Sequence, residues 1–343
     1  MFFHRTILAI LDFEGKLWTV LKDRFVAGIG CVRRGPMNWI VDPDSIDGLA
    51  LLGIRREALS YILGRRLETG GFCYFKSWGS GAPSVLDTHA AFLAFRLLDS
   101  GGPQNLQFDL KTHTWLMERL HLELSCDDIT GVWHLCSSLF LMGSSLSEED
   151  RIRVMAFLGK TTKHFFKEGM LPDGKTGTSG SLSSLIAWNR LADLSGWSGD
   201  RPLVSFPEEN VRGTLIEKFY QWEMGVSGWY PDRIPGSSDL SPFTNEIFGY
   251  VLTEGSTATD MAVIASGVMM DVKVRKGCSF SKQALAWVLD SRSESGGFGR
   301  IPGAVPDLGS TAQALLILEL LTGGSSCLDQ LFPQGLWWSL QEN

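Results

Sequence analysis

The sequence predicts an all-α fold: an (α/α)6 toroid, in which six helix pairs close into a barrel. Three observations predict it. A Gly-Gly-aromatic signal recurs at Glu68-Thr-Gly-Gly-Phe72, Gly225-Val-Ser-Gly-Trp229 and Glu294-Ser-Gly-Gly-Phe298, with a looser copy at Glu168-Gly-Met-Leu-Pro-Asp-Gly174. Stretches of small and apolar residues alternate with charged, amphipathic ones, as buried and half-exposed helices do. No alternating β-rich segment of any length competes with the helical pattern.

Taken in order, the small-and-apolar helices begin near Ile46, Asp87, Asp128, Gly180, Ser256 and Ser310. Their amphipathic partners cover Arg55–Leu67, Lys111–Leu122, Glu148–Phe166, Glu208–Trp222 and Ser281–Asp290. The sixth partner is the final stretch to the C-terminus or an N-terminal helix that closes the ring. Ser, Thr or Asp at the openings supply N-caps, and the glycines after the partner helices supply stops. Two loops share a tetrapeptide, Arg233-Ile-Pro-Gly236 and Arg300-Ile-Pro-Gly303. Two helices that follow share an opening, Gly255-Ser-Thr-Ala258 and Gly309-Ser-Thr-Ala312. Ring closure buries the first repeat against the last, so residues 1–343 are expected to form a single domain. The Gly/Pro/Ser-rich connection 225–255 has the length and composition of a lid over the barrel mouth.

Composition narrows the function. Hydrophobic residues make up 44% of the 343 and charged residues 20%, which is enough apolar material for a buried core and excludes a disordered chain. Lys and Arg total 31 against 38 Asp and Glu, a formal charge of −7 with no basic cluster, which argues against nucleic acid as a partner. Twelve Trp against five Tyr suit an aromatic-lined cavity or a large core. The six cysteines contain no Cys-x-x-Cys pair and are expected to be reduced thiols in a cytoplasmic protein. Ile7–Leu11 is too short for a signal-peptide core, and no run of about 18 apolar residues is present to span a bilayer. A peripheral membrane contact and a dimer both remain open.

The segment Gly296-Gly-Phe-Gly-Arg-Ile-Pro-Gly-Ala-Val-Pro-Asp-Leu-Gly-Ser-Thr-Ala-Gln-Ala-Leu315 resembles the repeat of the prenyltransferase/squalene cyclase superfamily, which includes the class II terpenoid cyclases. Gly70-Gly-Phe-Cys-Tyr74 followed by Leu86-Asp-Thr-His-Ala-Ala91 is a second copy, and the resemblance runs from about residue 40 to 325. It implies an α/α toroid and a hydrophobic, isoprenoid-type small molecule as ligand. Protein prenyltransferase β subunits are similar and hold zinc through Asp, Cys and His at openings of the late inner helices. The positions that match are Ser256, Ala258 and Ser310, none a usual zinc ligand, so neither metal nor cofactor is expected.

Class II cyclases of the superfamily protonate an alkene with the middle Asp of Asp-x-Asp-Asp. The nearest match is Ser125-Cys126-Asp127-Asp128, in which Ser125 replaces the first Asp. The resemblance implies a dry, protonated Asp127 as acid, and aromatic faces at Phe92, Trp133, Trp188, Trp229 and Phe248 to stabilise the cation. The alternative is that Asp127 and Asp128 only cap a helix.

Four further features carry chemistry or a structural reading. Asp87-Thr88-His89 offers an acid/base pair, or a cap beside a partly buried rim histidine. Asp260 falls one turn inside its predicted helix, where a carboxylate on a barrel wall is unusual. With Glu246 and Glu254 it offers candidates for the paired-carboxylate site of a glycosidase. Arg233 and Arg300, in the twin loops, suit a diphosphate or solvent. The expected function is a metal-independent, proton-initiated terpene or meroterpene cyclase or isomerase. The alternatives are a non-catalytic barrel that binds a hydrophobic ligand or a partner, and a glycosidase-like toroid.

Overall fold

A computed structural model describes residues 48–74, 81–98, 110–166, 179–199, 214–226, 237–275 and 277–323. The chain divides into two compact units, Met1–Ile40 and Val41–Asn343, and every described residue belongs to the second. That unit is all-α. Its described helices are α1 (Gly48–Gly64), α2 (Val85–Leu98), α3 (Leu110–Cys126), α4 (Ile129–Leu141), α5 (Glu148–Phe166), α6 (Ser179–Ser195), α7 (Leu215–Val226), α8 (Met261–Arg275), α9 (Ser281–Asp290) and α10 (Leu308–Gly323). The described strands are two antiparallel ladders of two residues each: β1 (Thr244–Asn245) with β2 (Gly249–Tyr250), and β3 (Phe298–Gly299) with β4 (Pro306–Asp307).

Burial follows composition. In α10 every residue from Leu308 to Leu320 is buried, and in α2 every residue from Thr88 to Phe95. A helix apolar on all sides must be enclosed by others. The amphipathic α3 instead buries one stripe, Thr112, Trp115, Leu116, Leu120 and Glu123, at the three-to-four spacing of a helix face. The enclosed helices pack in sequence: α2 on α4, α4 on α6, α8 on α10, with α7 between α6 and α8. The last of them, α10, makes its largest contact with the first, α2. The outer helices follow their partners, with α3 on α4, α5 on α6 and α9 on α10.

The first predicted pair is corrected. Gly48–Gly64 is one helix, so the helices expected near Ile46 and over Arg55–Leu67 are not separate. Gly53 is the only break in the letters, and it sits mid-helix facing open space without ending the helix. Ile54, Ala58, Tyr61 and Ile62 are buried while Leu52 and Leu63 are exposed, which makes α1 an outer helix.

The Gly-Gly turns account for the spacing of the repeat. After α1, the Gly70 amide donates to the Leu67 carbonyl and the Leu67 amide to Gly71; after α9, Gly296 and Ser293 repeat the first bond, and Ser293 and Gly297 the second. Gly70 (φ +103°) and Gly296 (φ +88°) lie where only glycine sits without strain. Each turn also presses on a neighbouring outer helix. A Cβ on Gly70 would stand 2.6 Å from the backbone of Thr112 in α3, and one on Gly296 would stand 2.5 Å from the Glu57 carbonyl oxygen in α1. Thus α1 stands to the last repeat as α3 stands to the first. Arg55 pairs with Glu319, Arg292 pairs with Glu57, and the Tyr61 hydroxyl donates to the Pro306 carbonyl at 2.6 Å.

The described part of the predicted lid, 237–255, packs against α8. Leu240, Phe243 and Tyr250 are buried, and the Tyr250 hydroxyl donates to the buried Asp271 carboxylate at 2.7 Å. Among the described residues no helix is long and apolar enough to cross a membrane.

Candidate functional site

Four of the enclosed helices open on a side-chain cap. Ser84 Oγ accepts the Asp87 amide at 3.3 Å ahead of α2, and Asp128 Oδ1 accepts Thr130 at 3.1 Å ahead of α4. Asp260 Oδ1 accepts Val263 at 2.9 Å ahead of α8, and Asp307 Oδ1 accepts Ser310 at 2.6 Å ahead of α10. Each leaves one fewer amide of the first turn unpaired.

This register corrects the reading of Asp260. The helix starts at Met261, so Asp260 is its cap and not a carboxylate one turn down the wall. Gly255-Ser-Thr-Ala258 lies in the preceding loop, where the Leu252 amide pairs with the Ala258 carbonyl at 2.8 Å. Its letters match Gly309-Ser-Thr-Ala312, but its place does not, so Ser256 and Ala258 are not at a helix opening. The second oxygen of Asp260 is bound by Arg300, Nη2 at 2.6 Å and Nε at 2.8 Å, with the carboxylate 14% exposed and the guanidinium 71%.

Asp127 is also placed differently from the dry acid of the motif reading. It turns the chain between α3 and α4 with φ +58°. Its carboxylate is half-exposed and held by Lys160 Nζ at 2.6 and 2.7 Å. The carboxylate is thus engaged in an exposed ion pair and is not enclosed in a dry pocket.

Asp87 has the surroundings that Asp127 lacks. It is half-buried in the first turn of α2, and burial pushes its carboxyl above the ordinary range. Hydrogen bonds from the Ser84 hydroxyl and the Tyr74 amide oppose the rise, the Asp307 carboxylate adds to it, and Arg65 opposes it. Asp307 is raised too, by burial, against the Ser310 amide and hydroxyl (2.6 and 2.7 Å) and the charge of Arg300. Two tyrosines complete the cluster. Burial takes Tyr61 up to about 12, opposed by Arg65, whose guanidinium lies 4.8 Å from the ring centre. Tyr74 is raised by burial and by both carboxylates, and its carbonyl accepts Arg65 Nη1 at 2.9 Å. The cluster stands where α1, α2 and α10 meet. Asp307 was not singled out from the sequence, although it ends the Pro-Asp of the repeat.

His89 is not at the rim but fully buried, with Nε2 at 3.0 Å from Ser137 Oγ. Its ring centre lies 4.5 Å from that of His134 and 6.4 Å from Trp133, while the Arg190 guanidinium lies 5.9 Å from the Trp133 ring. Burial lowers both imidazoles: His89 is lowered further by His134 and then by Arg190, and His134, lowered further by Arg190, falls to about 3. Phe92, Trp133 and Trp188 are at most 1% exposed, so they line no open cavity. Phe92 packs edge-on against Phe72 at 6.1 Å, and Trp188 Nε1 reaches the Leu158 carbonyl at 3.4 Å.

The half-buried Phe248 packs edge-on against Trp287 at 6.0 Å. Glu246 and Glu254 are exposed, whereas Asp260 is bound to Arg300. Trp229 and Arg233 lie outside the described residues. Among the described residues no three His, Cys, Asp or Glu side chains gather as metal ligands. No protein-family model, curated protein or solved structure matches the chain.

Proposed function

We propose that the chain is an isoprenoid-handling enzyme, a metal-independent, proton-initiated cyclase or isomerase on a closed (α/α)6 toroid. The observation that carries the reading is the Asp87 carboxyl, half-buried at the α2 opening and pushed above the ordinary carboxylate range beside Asp307. A carboxyl raised chiefly by burial, with a second carboxylate adding to the rise, suits the role of a general acid. Asp87 gives its proton to an alkene carbon, the carbocation closes a ring or shifts its double bond, and loss of a proton from carbon to the carboxylate restores the acid. The product has the mass of the substrate. Support for the ring comes from α10 returning to α2 and from α1 joining the first and last repeats. The described cysteines are free thiols, in keeping with a cytoplasmic location.

A second reading, a non-catalytic barrel that binds a hydrophobic ligand or partner, is favoured by the packed interior around Phe92, Trp133 and Trp188. Mass spectrometry after incubation with farnesyl diphosphate, geranylgeranyl diphosphate or squalene separates the two. The enzyme reading expects a product of unchanged mass, insensitive to EDTA, lost in Asp87→Asn and retained in Asp127→Asn. No product from any substrate gives the field to the binding barrel.

A further inference from the structure

We propose that the Asp87 site takes its substrate by one end: the terminal alkene of a long apolar chain meets the carboxyl at the rim, while the rest of the chain lies over Tyr74, Leu86 and Val305, outside the barrel. For its chemistry this binding mode rests on the proposal that Asp87 is the acid. For its geometry it rests on packing alone.

Three observations converge on it. The barrel is closed beneath the carboxyl: Thr88 and Ala91 in α2, Val132 in α4, Ile264 in α8 and Ala312 in α10 are all 0% exposed within the first two turns of their helices. Side chains packed to that degree leave no room among them for a folded isoprenoid chain. The carboxyl is nevertheless within reach from outside, because Asp87 is half-buried at the α2 opening, where it accepts the Tyr74 amide. The large apolar side chains that border it are exposed, Tyr74 by 49%, Leu86 by 47% and Val305 by 55%. Leu86 immediately precedes Asp87, Val305 lies two residues before Asp307, and the Tyr74 phenol feels both carboxylates. Single exposed apolar residues are ordinary on a protein surface. Three that border one half-buried acid form a contact surface for an apolar molecule.

This geometry restricts the reaction. The alkene π pair takes the Asp87 proton and leaves a carbocation near the end of the chain. A neighbouring C–H bond gives its electron pair to that cation and its proton to the Asp87 carboxylate, which shifts the double bond. Attack by the next alkene along the chain instead closes one ring before the same loss of a proton. Successive closures need the whole chain prefolded in one enclosure, and the packed interior does not offer it. Isomers and single rings are therefore the products, and chain length beyond the reacting end matters little.

The test uses the full chain with ¹³C-labelled Leu and Val methyl groups, titrated with farnesol below its solubility limit. Rim methyls are assigned by their loss in Leu86→Gln and Val305→Gln, and core methyls by their loss in Leu93→Met and Val132→Ile. Saturable shifts are expected at Leu86 and Val305, while Leu93 and Val132, both 0% exposed, stay in place. Leu52, exposed near Arg55 at the far end of α10, is also expected to stay, which separates rim binding from general stickiness. Val305→Gln is expected to weaken farnesol binding about fivefold or more. A fitted cavity discriminates even one methylene by about tenfold or more. The end-on mode instead predicts kcat/KM values for farnesyl and geranylgeranyl diphosphate within about tenfold of each other, each giving an isomer or a single ring. Shifts at Leu93 or Val132, no saturable shift at the rim, or a polycyclic product overturns the end-on mode and leaves Asp87 standing as the acid. Rim shifts with no product from any substrate remove the acid instead, and the chemical half of the proposal falls with it.

Discussion

Thr88 and Thr311 hold the same position in two repeats. Each accepts the amide of the phenylalanine that ends a Gly-Gly turn, Phe72 or Phe298, at 3.0 Å. Each donates its own proton to the carbonyl four residues back, Ser84 at 2.6 Å and Asp307 at 2.5 Å. Thr311→Val keeps the shape and strands the Phe298 amide in the core, so a loss of about 1–3 kcal/mol is expected in urea denaturation. Thr311→Ser is expected to lose far less. Equal stability of the valine variant would remove this bond from the account of the repeat.

Glycines at two positions are expected to respond with opposite signs. Gly53 is mid-helix and faces open space, so Gly53→Ala gains about 0.5–1 kcal/mol. Gly296 has φ +88° and lies against the Glu57 carbonyl, so Gly296→Ala costs more than about 1 kcal/mol. Thermal melts of the two variants read the difference directly.

The junction between α1 and the last repeat is expected to rest unevenly on its two ion pairs. Glu319 is nearly buried beside Arg55, and Glu319→Gln is expected to cost about 1.5–3 kcal/mol. Glu57 is half-exposed beside Arg292, so Glu57→Gln is expected to cost under about 1 kcal/mol. A double-mutant cycle on each pair isolates the coupling.

The letters of the chain reveal its helices better than its site. Runs such as Leu308–Leu320 carry apolar or small residues on more than one side, which marks them as enclosed. Gly70 and Gly296 announce turns because no other residue fits their conformation. Identical letters misled where the conformation differs: Gly255–Ala258 is loop, Gly309–Ala312 is helix, and the cap falls on Asp260. The depth of His89 was hidden for a related reason, because a histidine three residues beyond a half-exposed leucine carries no mark of which side it faces. Asp87 and Asp307 are far apart in sequence and meet only because α10 packs on α2. No local pattern encodes that neighbourhood.

The buried histidines are expected to lower stability on the acid side. Their ordinary value is 6.5, and both fall below it in the folded chain. Below pH 6.5 the unfolded chain binds more protons than the folded one, so stability falls as pH drops. The slope approaches about 1.4 kcal/mol per pH unit for each histidine. His134→Phe is expected to flatten that slope between pH 6.5 and 3, as read by denaturation at a series of pH values. Asp87 acts in the opposite sense. Its folded value is raised, so stability falls as pH rises through the window above 3.8, and Asp87→Asn is expected to be more stable than the parent at neutral pH.

The central claim is that burial raises the Asp87 carboxyl above the ordinary carboxylate range. Carboxyl ¹³C NMR of the full chain over a range of pH, with Asp87 assigned by its loss in Asp87→Asn, measures this directly. The account predicts that Asp87 titrates above 3.8 while Asp150, held by Ser147 and His121, titrates below it. It also predicts that Asp307→Asn brings Asp87 down. An Asp87 that titrates at or below 3.8 would contradict the account and leave the rim without its acid.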